Sequence, residues 1–187
     1  MSNFETAIAA LLKNEGGYVN NPADKGGETK YGIAKKWHPE VDIKNLTVDG
    51  AKAIYKSDYW NPNNFDGIND AEIATAALDT VVNHGRGAFL LQLAAQRAGV
   101  PIHPDGKIGP ATLSALNSLP ASVYLPKLYE VRKEYYTDLV AKDPSQAKFL
   151  PGWLKRISVY DIAEGAGGLV ALALLITAVY YLKRRNS

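Results

Sequence analysis

Glu15, Asp24 and Thr29 fall within one stretch, NEGGYVNNPADKGGETKYGI at residues 14–33. A carboxyl group where a helix runs out, followed by a second carboxyl and a hydroxyl on a turn-rich loop, suits acid–base cleavage of a glycosidic bond. One carboxyl gives its proton to the leaving oxygen, and the other supports a water or a developing positive charge. Taken singly, each residue also has a plainer reading. Glu15 is a solvated glutamate at a helix end or, with its pKa raised by apolar neighbours, a proton donor. Asp24, two residues before Gly26-Gly27, is an Asx-turn residue or the ionised partner. Thr29 is a β-branched strand residue or a hydroxyl that orients water.

The elements that must position them follow from periodicity. Phe4, Ile8, Leu11 and Leu12 recur at helical spacing over Asn3–Asn14, and Gly16-Gly17 ends that helix. Gly17, Pro22, Gly26, Gly27 and Gly32 predict an irregular loop or short hairpin. Helices are expected near Ala34–Trp37 and Thr47–Tyr59. Another should start after Asp70 as N-cap and place Ile73, Ala77, Leu78 and Val81 on one face. A helix from Gly87 to about Ala98 precedes a loop, GVPIHPDGKIGP. Pro110 suits the first turn of a short helix to Asn117. The longest helix is expected over Ser122–Val140, with Val123, Leu128, Val131, Tyr135 and Leu139 inward. Pro144 and Pro151-Gly152 read as an exit from the helical body. No strand alternation is sustained, so the body is mainly α, with a small loop or β-hairpin at the chemical residues.

At 187 residues the chain can bury one core, or a core with a satellite. Lys183, Arg184 and Arg185 carry the basic excess; without them 18 basic side chains face 19 acidic ones, and no nucleic-acid footprint remains. With no cysteine there are no disulfides, thiolate metal sites or cysteine nucleophiles. His38, His84 and His103 lack the paired spacing of a metal helix, and there is no phosphate loop or GxSxG elbow. No metal and no cofactor are implied. The N-terminus shows no basic n-region or apolar h-region, so no secretory signal is visible.

Residues 165–182, GAGGLVALALLITAVYYL, carry no charge and are followed by Lys-Arg-Arg. At helical rise they span roughly 27 Å, close to a hydrocarbon core, and they predict a single C-terminal transmembrane helix with the lipid bilayer as partner. The basic tail predicts a single-pass protein whose tail is cytoplasmic and whose body faces the periplasm, or is carried in a virion membrane.

Glu15-Gly-Gly-Tyr-Val-Asn20, Asp24-Lys-Gly-Gly-Glu-Thr29, Tyr31-Gly-Ile33, Tyr59-Trp60 and Asp79-Thr-Val-Val-Asn-His-Gly85 together resemble the glycoside hydrolase family 108 muramidases, bacterial and phage lysozymes, over roughly residues 3–120. Asp105-Gly-Lys-Ile-Gly-Pro-Ala-Thr-Leu-Ser-Ala-Leu116 resembles a segment of small peptidoglycan-binding helical modules. The resemblance implies a lysozyme-like helical fold and cleavage of the β-1,4 bond between N-acetylmuramic acid and N-acetylglucosamine. It also implies Glu15 as catalytic acid, while Asp24 and Thr29 follow from a similar but not identical Glu…Asp…Thr arrangement in other phage lysozymes. Carboxyls about 6.5–9.5 Å apart admit a water and invert, about 5–5.5 Å retain; inversion, with Asp24 and Thr29 holding the attacking water, is the expectation. Aromatic rings suit pyranose faces and amides suit N-acetyl groups, which makes Tyr18, Tyr31, Trp37, Tyr59, Trp60 and Asn83 substrate-binding candidates, each also explicable by packing or capping. The expected organisation is a catalytic lobe over 1–85, a peptidoglycan-binding-like subdomain over 86–160 and an anchor over 161–187. Peptidoglycan strands are the expected partner, with a phage holin or virion membrane proteins as further partners in lysis or entry. Lytic transglycosylase action and a non-catalytic peptidoglycan-binding scaffold are the alternatives.

Overall fold

Phe4, Ala7, Ile8 and Leu11 line one side of α1 (Asn3–Asn14), which buries them along α3 (Ala71–Asn83) through Ile73, Ala74, Ala77 and Leu78. The computed structural model describes residues 2–14, 17–20 and 27–158. Between these helices lie β1 (Thr29–Lys30), β2 (Ile33–Ala34) and α2 (Val48–Tyr55), which runs into a π turn at Lys56–Trp60 and a 3₁₀ turn at Phe65–Gly67. After α3 come α4 (Gly87–Arg97), α5 (Pro110–Asn117), α6 (Ala121–Lys142), a 3₁₀ segment at Pro144–Phe149 and α7 (Leu150–Ile157).

Caps explain most boundaries. Thr47 Oγ accepts from the Gly50 N–H at 3.1 Å and opens α2. Asp70 Oδ1 accepts from Glu72 and Ile73 N–H groups at 2.8 and 3.0 Å and opens α3, as its position before the apolar run predicts. Pro110 opens α5 without losing a hydrogen bond, because a first-turn N–H has no intrahelical acceptor.

Two elements differ from the sequence expectation. Ala34–Trp37 is not a helix: Ile33 and Ala34 pair with Lys30 and Thr29, so the hairpin takes the residues a helix would need. Pro151-Gly152 does not end the helical body, because Pro151 sits in the first turn of α7, where proline is tolerated. Within α6, Tyr124 and Leu125 face the core with Leu128 and Val131, while Val123 is exposed.

The expected transmembrane helix requires correction. Among the described residues no helix is long and apolar enough to cross a membrane. The longest, α6, has 22 residues but carries Lys127, Glu130, Arg132, Lys133, Glu134 and Asp138 along its length, which hydrocarbon would not solvate. Residues 165–182, where the span was expected, lie outside the described residues. The described residues are therefore mainly helical with a small hairpin, and no membrane-spanning helix is found among them. The single-pass localisation and the bilayer partner rested on that helix and lose their support with it.

Candidate active site

The hairpin is built for a tight reversal. Tyr31 and Gly32, between the two strands, both have positive φ (53° and 77°), the backbone a two-residue type I′ turn requires. Gly32 adopts it at no steric cost, whereas Tyr31 is fixed there by its carbonyl, which accepts from the buried Tyr55 hydroxyl at 2.9 Å. Val19 and Thr29 exchange two backbone hydrogen bonds of 2.8 Å each. That bridge joins the two ends of the segment carrying Asp24. Beside it, the Tyr18 hydroxyl donates to Glu28 Oε1 at 2.8 Å, which raises the phenol's pKa. The Thr29 hydroxyl is half-buried and lies 3.5 Å from the Gly27 carbonyl. Glu15 and Asp24 themselves lie outside the described residues.

The Asn3 side-chain amide donates to the carbonyls of Ile68 and Asn69 at 2.7 and 3.2 Å, tying the start of α1 to the start of α3. With the two helices packed along their length, their C-terminal ends share one side of the molecule. Asn14, the last residue of α1 and the one before Glu15, ends on the same side as Asn83, His84 and Gly85. Those three residues line a cavity of about 630 Å³ whose other walls are Tyr135, Tyr136 and Leu139 of α6 and Gly152, Trp153, Lys155 and Arg156 of α7.

Under this cavity sits a buried ionic cluster. Asp79 accepts from Arg132 Nη1 at 2.7 Å and from Arg156 Nε at 2.8 Å, so α3 is tied to α6 and α7 through one carboxylate. The Arg132 Nε donates to His84 Nε2 at 3.2 Å, and the Tyr136 hydroxyl lies 3.2 Å from the same nitrogen. An imidazole nitrogen that accepts from a guanidinium must be unprotonated. Burial first, then the Arg132 charge, push the His84 pKa down to about 3, so the ring stays neutral at physiological pH.

The other expected ligand contacts divide clearly. The Trp60 ring is completely buried, edge-on to Phe4 and Phe65 at 5.2 and 5.6 Å, and its Nε1 donates to Asp66. It is a core residue with no face to offer a sugar, and its assignment to substrate is corrected on that ground. Tyr59 is half-buried 5.9 Å from Tyr55. Trp37 is 73% exposed, beneath the Lys36 ammonium. Asn83 is exposed at the cavity, and its amide N–H groups donate to Asp79. Arg132, Trp153, Lys155 and Arg156 escape a reading by motif. One usable signal was Asp79 itself, an acidic residue in a run of buried α3 positions that demands a distant cation.

In the DGKIGP loop, the buried Gln92 amide donates to Asp105 Oδ1, Lys107 O and Thr112 Oγ1, and its oxygen accepts from the N–H groups of Asp105 and Gly106. A single side chain thus holds the turn that precedes α5.

Residues 8–85 match the family model described as glycosyl hydrolase 108. Residues 86–158 match a second family model, described as a predicted peptidoglycan domain. Among solved structures, that of Brucella abortus SagA is similar to this chain at 28% sequence identity and a TM-score of 0.66, covering 84% of this chain and 91% of that one. No curated protein matches the sequence significantly. The chain is a glycoside hydrolase that acts on peptidoglycan. The cavity takes one wall from the stretch that the first model matches (Asn83, His84, Gly85) and the rest from the stretch that the second matches. Asp79 of the first stretch binds Arg132 and Arg156 of the second.

Proposed function

We propose that the chain is an N-acetylmuramidase that hydrolyses the β-1,4 bond between N-acetylmuramic acid and N-acetylglucosamine with inversion. Glu15 gives its proton to the glycosidic oxygen. Asp24 takes a proton from a water that the Thr29 hydroxyl orients, and that water attacks the anomeric carbon from the opposite face. The Val19–Thr29 bridge is the observation that carries this reading. It returns the chain so that Thr29 and the segment bearing Asp24 start and finish beside residues only a few positions after Glu15. Inversion requires the two carboxyls to stand about 6.5–9.5 Å apart, wide enough for the water. Tyr18, Tyr31, Trp37, Tyr59 and Asn83 are the remaining candidates for sugar contacts.

The decisive substitution is Glu15→Gln, which keeps the side-chain shape and removes the acid. Turbidity clearing should fall at least on the order of 10²-fold; an unchanged rate would rule Glu15 out as the acid. Mass spectrometry of the released muropeptides should find reducing muramic acid ends. Anhydro ends would instead identify a transglycosylase, in which no water attacks.

A further inference from the structure

Arg86 and Asp105 share one small recess without pairing to each other. The recess, about 200 Å³, lies between the start of α4 and the turn before α5, and Gly85, Ala88, Phe89 and Gly106 complete its walls. Each charge is held by a different partner. The Arg86 guanidinium stands over the half-buried Phe89 ring, 4.5 Å from its centroid. Among the described residues it has no ion pair, so its N–H donors are open to a carboxylate. Asp105 Oδ1 accepts from Gln92 Nε2 at 2.7 Å and from the Lys107 N–H at 2.8 Å. The Gln92 bond first, then that N–H, hold the Asp105 carboxyl below the usual range, so it is ionised. Its Oδ2 accepts no hydrogen bond among the described residues. The Lys107 charge reaches Asp105 at longer range, without pairing, and Lys107 does not line the recess.

Two fixed, opposite and unpaired charges select what enters. A lone anion meets the Asp105 carboxylate, a lone cation meets Arg86, and a neutral sugar would desolvate both charges without answering either. A group that carries an ammonium and a carboxylate together answers both. At about 30 Å³ per water the recess has the volume of roughly six or seven waters, room for one amino-acid end. Sites that enclose larger ligands run to about 300–1,000 Å³. All the lining residues except Gly85 belong to the stretch that matches the predicted peptidoglycan domain. Peptidoglycan offers such a group where a stem peptide contains a diamino diacid. Uncross-linked, that residue ends in a free amino acid, with ammonium and carboxylate on one carbon; cross-linking acylates the nitrogen and removes its charge.

We propose that Arg86 and Asp105 form a subsite for this free amino-acid end, Arg86 taking the carboxylate and Asp105 Oδ2 the ammonium. The subsite therefore prefers stem peptides that have not been cross-linked. It is independent of which glycosidic bond the hydrolase breaks.

The test titrates the full chain calorimetrically with three synthetic stem peptides. One ends in the free diamino diacid, one has that residue's terminal amine acetylated, and one has the carboxylate beside that amine amidated. Wild type should bind the first about tenfold more tightly than either of the others, the loss expected for one charge-assisted hydrogen bond. Arg86→Gln should keep the penalty for acetylation and lose the penalty for amidation; Asp105→Asn should do the reverse. Both changes are mild to the fold, since Arg86 is exposed and an amide oxygen in place of Asp105 Oδ1 still accepts from Gln92 and Lys107. Loss of fold would weaken all three peptides together, so the crossed pattern is not a stability effect. Equal affinity of wild type for the three peptides, no binding of the free form, or variants that keep or lose both penalties together would overturn the subsite. Binding is read without cleavage, so a failure of the muramidase reading leaves this outcome separate.

Discussion

Burial and the adjacent Arg132 guanidinium hold His84 to a pKa of about 3, against an ordinary value of 6.5. Protonation therefore favours the unfolded chain between those two values. The stability this histidine contributes is complete above about pH 6.5 and is lost as pH falls toward 3. Urea midpoints measured from pH 7 down to pH 4 should decline, and His84→Gln should flatten that decline because glutamine can still accept a hydrogen bond and does not titrate. An equal slope in both proteins would place the pH dependence elsewhere. Gln92 poses a different residue-scale problem. Gln92→Leu would strand the polar groups of the Asp105–Lys107 turn and Thr112 that now bond to one amide. A loss on the order of 2–4 kcal/mol in denaturant unfolding is expected, since several buried partners lose their bonds at once.

At the scale of elements, α3 and α4 approach so closely that the missing side chain of Gly87 matters. A Cβ there would lie 2.6 Å from the Val81 Cα and 2.9 Å from the Thr80 carbonyl, both rigid backbone. Alanine gains about 1 kcal/mol over glycine in helix propensity, but backbone overlap at that distance forces the helices apart. Gly87→Ala should therefore destabilise by about 1–3 kcal/mol, read from the shift in urea midpoint; a stabilised variant would mean the helices separate freely. The helices that were legible in the sequence had both an apolar period and a local stop or start signal: Asp70 before α3, Pro110 before α5, the glycines after α1. Ala34–Trp37 failed because a short run without a cap has nothing to outweigh hairpin pairing. The exit inferred from Pro151-Gly152 failed because proline at a first turn opens a helix as readily as it follows one. The hairpin was legible from its glycines, whereas the burial of Trp60 was not, since a tryptophan beside a tyrosine reads equally as core or as sugar platform until Phe4 and Phe65 enclose it.

Across the whole molecule, an ionic joint between the two halves draws on positions 79, 84, 132 and 156, and no spacing in the chain announces that they meet. The residues proposed for chemistry stand in one contiguous motif; those of the ionic joint do not, because they are brought together only by tertiary packing. Asp79→Asn would leave two guanidiniums without their shared carboxylate, one of them fully buried, at a cost of about 3–5 kcal/mol. The intact chain should unfold in a single transition whether followed by helical circular dichroism or by tryptophan fluorescence, which samples Trp60 in one half and Trp153 in the other. Separated midpoints would show that the halves do not depend on each other. The same joint sets a limit on reuse of the catalytic portion. A fragment trimmed after Gly85 would keep Asp79 and discard both of its arginines, exposing to solvent a helix face shaped for partners it no longer has. Engineers who wish to graft this hydrolase onto another targeting module should carry α6 and α7 along with it, and treat the sequence boundary as a mark on the page rather than a line along which the protein can be cut.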